Sequence, residues 1–588
     1  MKIFKNIFLL SVFAASAIFT LSCSNEIASA DETRIIGWNI LSSNYDNALN
    51  VIQASKKYGV NHLQLSHDII HNLKEIKDTQ KQKLVNELID YAHNNRIPEV
   101  VVWDHALYQL EYYPDEFKSA RDGKLNLDDP KFWEWVKDDY RTMLKLIPNV
   151  DGIVLTFIET GARIENQFSE KLLTASQKQA ALIDTLASVI IDEFNLKLYI
   201  RTFMYNTQEL NSILECIDLI KNKNIIAMCK ETPHDFFITH PVSQWVQSIK
   251  LPVIIEFDCA HEFNGQSIVS SIFPEIHFKR WEYYKSLSNV IGFSIRTDRY
   301  GTTTIIDHSS EINLYAIHQL ANDQHINMES VYDNFIIQKY GKNVLEPVKK
   351  IFKKAPEIIS SVYYTLGLNS ANHSSLNFDY RSIYTRHVSG RWMENPTISI
   401  NHGVNKEFHY WIDIVNHLSP ARHKKFDKKN QLEIAEVIEN KWIRPEELMN
   451  EEYLSYIITE KEYGSKLAKE ILNEISRIKN EVNDSSVYND LFNTFERTEL
   501  SSRLFLGMAK AYYGFRIFNR GESFRTKYIM KTISEGFDEI SNVSLEYKNY
   551  KKDYPKGQYD WKKDADIALE FFNNLPKNVL SGLQNKYE

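Results

Sequence analysis

From Arg34 to Arg296 the chain alternates eight times between a short β-rich apolar run and a longer connecting stretch, and no other feature restricts its fold as much. The runs are "RIIGWN" (34–39), "NHLQLS" (61–66), "EVVVWD" (99–104), "DGIVLTFIE" (151–159), "LKLYIRTF" (196–203), "NIIAMCK" (224–230), "PVIIEF" (252–257) and "NVIGFSIR" (289–296). Most of the connections have helical spacing of apolar residues. "NALNVIQASKKYG" ends in Gly59, a helix stop, and "LDDPKFWEWVKDDYRTMLKLI" offers Asp129 as N-cap with Pro130 at the first helical position. Near-continuous apolar strands are those buried on both faces, which requires parallel pairing under a layer of helices. Eight such units predict an α/β fold, a (β/α)8 TIM barrel over residues 34–305. A doubly wound open sheet is the alternative. No Gly-rich phosphate loop follows the first run, which counts against it.

Residues 306–588 have a different texture, helical with few β-runs, and predict a mainly α-helical C-terminal domain. Ser310 is placed as an N-cap. Leu504, Met508 and Tyr512 recur four apart, the spacing of a buried helix face. The basic run 422–430 reads as a solvated loop. Beyond helical packing, residues 380–588 have room for a rim to a cleft or a homodimer contact.

The first 23 residues read as a bacterial lipoprotein signal. Lys2 and Lys5 precede an apolar run, Ile7 to Phe19, and then "LSC", with Cys23 as the lipidated residue. Thr20 stands where the usual pattern has Leu, and a plain secretory signal is the alternative. Residues 24–33 form a tether, so the expected location is the cell envelope, with membrane attachment only through the lipid. A net charge of −8 excludes a general nucleic-acid binder. Cys216, Cys229 and Cys259 lie far apart without metal-ligand or disulfide-framework spacing.

Barrel chemistry sits at the C-terminal strand ends. Reading those ends gives Ser66, His67 and Asp68; Trp103, Asp104 and His105; Glu159; Arg201; Lys230, Glu231 and Asp235; Glu256, Asp258 and Glu262; Arg296 and Asp298. Carboxylates facing each other across a barrel mouth suit glycoside hydrolysis, in which one protonates the leaving oxygen and another activates water or attacks. For Arg201 and Lys230 the plainer role is ion pairing with Glu231 or Glu256. Trp103 serves either as a stacking platform for a sugar or as barrel packing. A metal-dependent alternative would use His67, Asp68, Asp104, His105 and Glu256, although no HxH or HExxH spacing supports it. No cofactor or metal is expected.

Several segments in order resemble the α-glucuronidases of glycoside hydrolase family 67. They are "YGVNHLQL", "NLDDPKFWEWVKDDYRTMLKLIPNVDGIVLTFIETG", "LYIRTFMY", "IIAMCKETPHDF", "IIEFDCAHEFNGQ", "NLYAIHQLANDQHINMESVYDNFIIQKYG" and "YYTLGLN". The likeness spans residues 58 to 375. It implies an inverting glycosidase acting on an oligo- or polysaccharide, with Asp235 and Glu262 matching the family's base function and Glu256 a strand-end Glu that is not the base. An ungapped match puts Thr160 at the family's general acid, so Glu159, one position early, is the candidate acid. Its pKa would be raised if Phe157 and Ile158 pack against it. Arg201 and Lys230 match two residues that hold the uronic carboxylate, while two further cations of that set fall on Thr156 and Thr239, the latter beside His240. The expected substrate-binding set is Arg201, Lys230, Trp103, His67 and Glu256, and the sugar is either uronic or neutral. Inversion would place acid and base about 6.5–9.5 Å apart. A glycan-binding lipoprotein without turnover is the non-enzymatic alternative.

Overall fold

The computed structural model describes residues 34–157, 159–203, 207–232, 235–238, 242–365, 368–369, 371–376 and 450–574. The proposed signal, Cys23, the tether, Ile158, Thr239, His240 and the basic run 422–430 lie outside these. The chain divides into two compact units, residues 1–35 and 36–588, and the second carries the helices and nearly all of the barrel.

All eight apolar runs are strands: β1 (Ile35–Ile40), β2 (His62–Leu65), β3 (Glu99–His105), β4 (Gly152–Thr156), β5 (Lys197–Arg201), β6 (Ile225–Lys230), β7 (Val253–Phe257) and β8 (Val290–Arg296). They pair in parallel, in sequence order, into a closed barrel. The helices α1 (Tyr45–Ser55), α2 (Thr79–Asn94), α3 (Pro130–Lys145), α4 (Ala175–Ala187), α5 (Thr207–Leu219) and α6 (Pro274–Tyr284) lie between them. Among the described residues between β6 and β7 the helical element is a short 3-10 turn, Gln244–Ser248. The local signals act as the chain suggests. Asp129 caps α3 by accepting from Lys131 N at 2.9 Å, and Gly59 ends the first helical stretch in the left-handed region, φ 64°.

After β8 come α7 (Ile312–Asn322), α8 (Met328–Lys339) and α9 (Leu345–Val362), then two short hairpins, Tyr364–Thr365 with Leu368–Asn369 and Ala371–Asn372 with Ser375–Leu376. The long helices α10 (Glu451–Arg477), α11 (Ser485–Phe518), α12 (Lys527–Asn549) and α13 (Lys563–Asn574) follow. Leu504, Met508 and Tyr512 are fully buried on α11. Ser310 is not a cap: its hydroxyl lies 2.6 Å from Ser267 Oγ, and α7 begins two residues later without a side-chain cap. The sequence favoured a cap because Ser precedes an apolar helix. A polar partner on the loop after β7 claims the hydroxyl instead.

The helical region roofs one part of the barrel. Every residue of the segment from Val253 to Pro274, which includes the long loop after β7, is buried. Loops normally run over the surface. This one is covered by α11, where Arg497 Nε donates to Ile268 O and Thr498 Oγ1 accepts from Ser270 N at 2.8 Å.

Candidate active site

The alternation of strand side chains puts the helix-facing residues, such as Ile255 and Phe257 on β7, in the apolar core. The other set turns inward and is polar. Trp103 Nε1 donates to Gln64 Oε1 at 3.0 Å, and Gln64 Nε2 reaches Met228 Sδ at 3.2 Å, so β2, β3 and β6 meet through the barrel interior. One layer nearer the C-terminal end lie Arg201, Glu256 and Arg296.

Glu256 is fully buried and bridges the two arginines, accepting from Arg201 Nε at 2.7 Å and from Arg296 Nε at 2.8 Å. Burial alone would raise its pKa, but Arg201, Arg296 and Lys230 outweigh burial and hold it at about 2. Arg296 also donates to Glu262 Oε2 at 3.1 Å, and Arg299 donates to Glu262 Oε1 at 2.5 Å. His373, from the second hairpin of the helical region, brings Nδ1 within 2.7 Å of the same Oε1, an ion-pair contact whose angles are not those of an aligned hydrogen bond. Against the cost of burial, Arg299, His373 and Arg296 keep Glu262 well below the usual carboxylate range. Glu262 is therefore an anion with both oxygens held.

Asp235 is more open. Its side chain is 20% exposed and accepts from Lys230 Nζ at 2.8 Å and from the Phe236 amide at 3.0 Å. Burial lowers the Lys230 pKa, with Arg201 and Arg296 working the same way against Asp235. Aromatic faces flank these cations: Lys230 Nζ lies 3.6 Å from the Phe203 ring centre and 4.5 Å from that of Phe236, whose ring also meets Arg296 at 4.6 Å. Asp258 is the carboxyl of this set that burial most discourages from ionising. Burial, with the nearby Glu262 charge and against Arg296, pushes it up to about 7, and its Oδ2 accepts the Glu262 amide at 2.7 Å.

Glu159 is more exposed than this cluster. β4 ends at Thr156, and Glu159 follows in the loop, exposed, with its backbone in the left-handed region at φ 64°. A non-glycine residue there is uncommon and aims the side chain differently from an extended strand. Its charge is felt by His71 on the loop after β2. Phe157 is buried while Glu159 is not, so Phe157 does not enclose the carboxyl.

His67 also has positive φ, 53°, and its Nδ1 is 2.8 Å from Ser66 Oγ. Burial and the charges of Arg296 and Arg299 push its pKa well below the ordinary histidine value, so it is neutral. Trp103 is not a stacking platform. It is fully buried, and the Arg201 guanidinium covers its ring at 4.8 Å, leaving no free face for a sugar. Glu256 likewise is fully buried, with its oxygens taken by two arginines.

The remaining strand-end residues serve the wall. Arg201 pairs with Glu256 as the plainer reading expected, but Glu231 turns outward to Arg280 at 2.9 Å and His277 at 3.3 Å. Asp104 accepts from the Leu73 amide at 2.8 Å and from the Tyr108 and Tyr140 hydroxyls, and burial pushes it up to about 6. Asp298 accepts the Leu41 amide at 3.1 Å. His105 stacks on His71 at 3.7 Å. Asp104 and Glu256 are thus bound to different neighbours, and the set His67, Asp68, Asp104, His105 and Glu256 is not gathered as metal ligands. Among the described residues no group of three His, Cys, Asp or Glu is so arranged.

Two residues of the cluster escaped the sequence reading. Arg299 follows Arg296 by three positions in "RTDRY" and was accessible as a continuation of the eighth strand end. His373 lies in a stretch expected to be helical and carries no local signal.

Fold and site together define a (β/α)8 barrel whose C-terminal mouth holds ion-paired carboxylates. No protein-family model matches the chain, and no curated protein matches it. Among solved structures it is similar to a GH138 enzyme targeting pectin rhamnogalacturonan II, with TM-score 0.56 and 11% identity over 93% of this chain and 64% of that one. The chain thus spans under two thirds of that enzyme's length. An O-GlcNAc hydrolase mutant of Thermobaculum terrenum (TM-score 0.42, 11% identity, 94% and 96% coverage) and CpGH84B (TM-score 0.41, 11% identity, 91% and 76%) are also similar. At such identity the likeness to the pectin-targeting enzyme is one of fold.

Proposed function

We propose that this chain is a glycoside hydrolase, distantly akin to the family 67 α-glucuronidases, that removes a terminal uronic sugar from an oligo- or polysaccharide with inversion. The observation that carries the reading is the charge arrangement of the mouth. Three arginines (Arg201, Arg296 and Arg299) and Lys230 gather at the mouth around the carboxylates Asp235, Glu256 and Glu262, with Asp258 pushed up to about 7. That arrangement favours an anionic ligand. Attachment of the chain to the bacterial envelope through Cys23 belongs to the same proposal.

In this mechanism Glu159 gives its proton to the glycosidic oxygen. Asp235, the less constrained carboxylate, takes a proton from water on the opposite face of the sugar. Glu262 remains anionic, accepts the water's other hydrogen bond and faces the positive charge developing at the anomeric carbon. Arg201 and Lys230 hold the sugar carboxylate.

A second reading is favoured by one observation. The oxygens of Glu262 are already engaged by Arg296, Arg299 and His373, which suits a binding site without turnover. Uronic-acid-capped and pectic oligosaccharides, with product anomers followed by NMR, separate the two. Hydrolysis with inverted product is expected, and Asp235→Asn should lose roughly 10²–10⁴-fold in kcat. Binding without turnover would replace the hydrolase by the glycan binder.

A further inference from the structure

Glu262 is held from two directions, and one of them is the helical region. The hairpin Ala371–Asn372 with Ser375–Leu376 presents His373 at its turn, with Nδ1 2.7 Å from Glu262 Oε1. The turn is fastened to the loop that carries Glu262. Ser374 Oγ donates to Glu262 O at 2.9 Å and accepts from the Gly265 amide at 2.8 Å, while Gln266 Nε2 donates to His373 O at 3.0 Å. The His373 ring lies against Phe263, centres 5.3 Å apart and planes 23° apart. A second tie runs through Arg299, whose Nε donates to Gln558 Oε1 at 2.8 Å, just before α13, while its Nη2 holds Glu262. The same carboxylate thus has on Oε1 an imidazole that comes from beyond the barrel and an arginine that is tied to a residue beyond it.

We propose that His373 is a positioning residue of the barrel site: it sets the orientation of the Glu262 carboxylate, so that the helical region completes a site whose other groups come from the barrel. The proposal rests on the glycosidase reading for the reaction it serves, but not for the contact itself. Arg296 and Arg299 neutralise Glu262 without His373, so charge compensation is not its distinctive part. The two arginines hold one oxygen each, and a third contact from outside the barrel stiffens that orientation; a small misplacement of a reacting group costs roughly 100-fold.

The test uses the full chain and three variants. Asparagine places an amide nitrogen where imidazole Nδ1 stands, whereas glutamine carries its amide one carbon further and alanine offers nothing. His373→Asn should keep kcat within about threefold of wild type. His373→Ala and His373→Gln should lose roughly 100-fold in kcat with KM little changed. Wild-type kinetics for His373→Ala would overturn the proposal. So would equal losses in all three variants accompanied by equal falls in Tm, because the histidine would then only hold the hairpin. If the wild-type chain binds an oligosaccharide without cleaving it, the hydrolase reading fails and the contact is judged on Kd. An affinity kept by His373→Asn and lost by His373→Ala supports positioning, and equal affinities overturn it.

Discussion

Glu256 shows how much of the barrel mouth is set by single charges. It is buried between Arg201 and Arg296, and its carboxyl is depressed from 4.5 to about 2. Because the folded pKa is the lower one, the stabilisation is complete above the unfolded value near 4.5 and is lost as pH falls toward about 2. Glu256→Gln leaves two buried arginines short of a counter-charge, at a cost of about 3–5 kcal/mol. Urea unfolding at pH 7 should show that deficit, and the gap to wild type should shrink steadily between pH 4.5 and the acid limit. A deficit independent of pH would refute the account. The strand-end carboxylates and cations were readable in the sequence because position on a barrel strand is dictated by the alternation of strand side chains. Which cation meets which anion was not, since Glu231 and Glu256 are both strand-end glutamates and only the direction of each side chain separates them. Glu159 and His67 were placed in the right loops, but their left-handed backbones have no signature in residue type alone.

The strands were legible as elements because their apolar runs serve two buried faces, and each was found within a few residues of its expected bounds. β4 and β5 end earlier than their apolar runs, at Thr156 and Arg201, since apolar residues continue into the loops that follow. The two hairpins were not visible: strands of two residues have no period to detect. Helix pairing also escaped, although one of its causes is in plain view. α11 and α12 approach closely where Gly507 faces Gly536. A methyl group on Gly536 would lie 2.5 Å from Ala511 N and 2.7 Å from Gly507 O, both backbone atoms that cannot step aside. Alanine is favoured over glycine inside a helix by about 1 kcal/mol. The clash outweighs this, because relieving it means moving one long helix off the other, at a cost of about 1–3 kcal/mol. Gly536→Ala should therefore lower Tm, and a raised Tm would show that the two helices slide apart freely.

At the scale of the whole molecule, the question is whether the barrel stands without the helices. The sequence divides at residue 305, where the alternating pattern stops. The structure crosses that line repeatedly. The loop after β7 is buried throughout and includes Phe263, Ile268, Val269, Ile272 and Phe273, each at most 2% exposed. Tyr364 donates to Asn264 Oδ1 at 2.6 Å, Lys556 O accepts the Thr302 amide at 2.6 Å, and Gln558 Oε1 accepts from Arg299 Nε at 2.8 Å. Cutting at 305 strips the cover from this loop and exposes its apolar side chains together with backbone groups that now have partners. Neither change has a compensating interaction within residues 34–305, and exposed apolar surface of this kind drives aggregation. We expect the 34–305 fragment to be insoluble or to lack a cooperative melting transition. The 34–588 chain should unfold in one step, with calorimetric and van't Hoff enthalpies in agreement. Two resolved transitions in the longer chain, or a soluble fragment with a sharp melt of its own, would show instead that the barrel is an independent domain and that the helical roof is an addition to a finished fold.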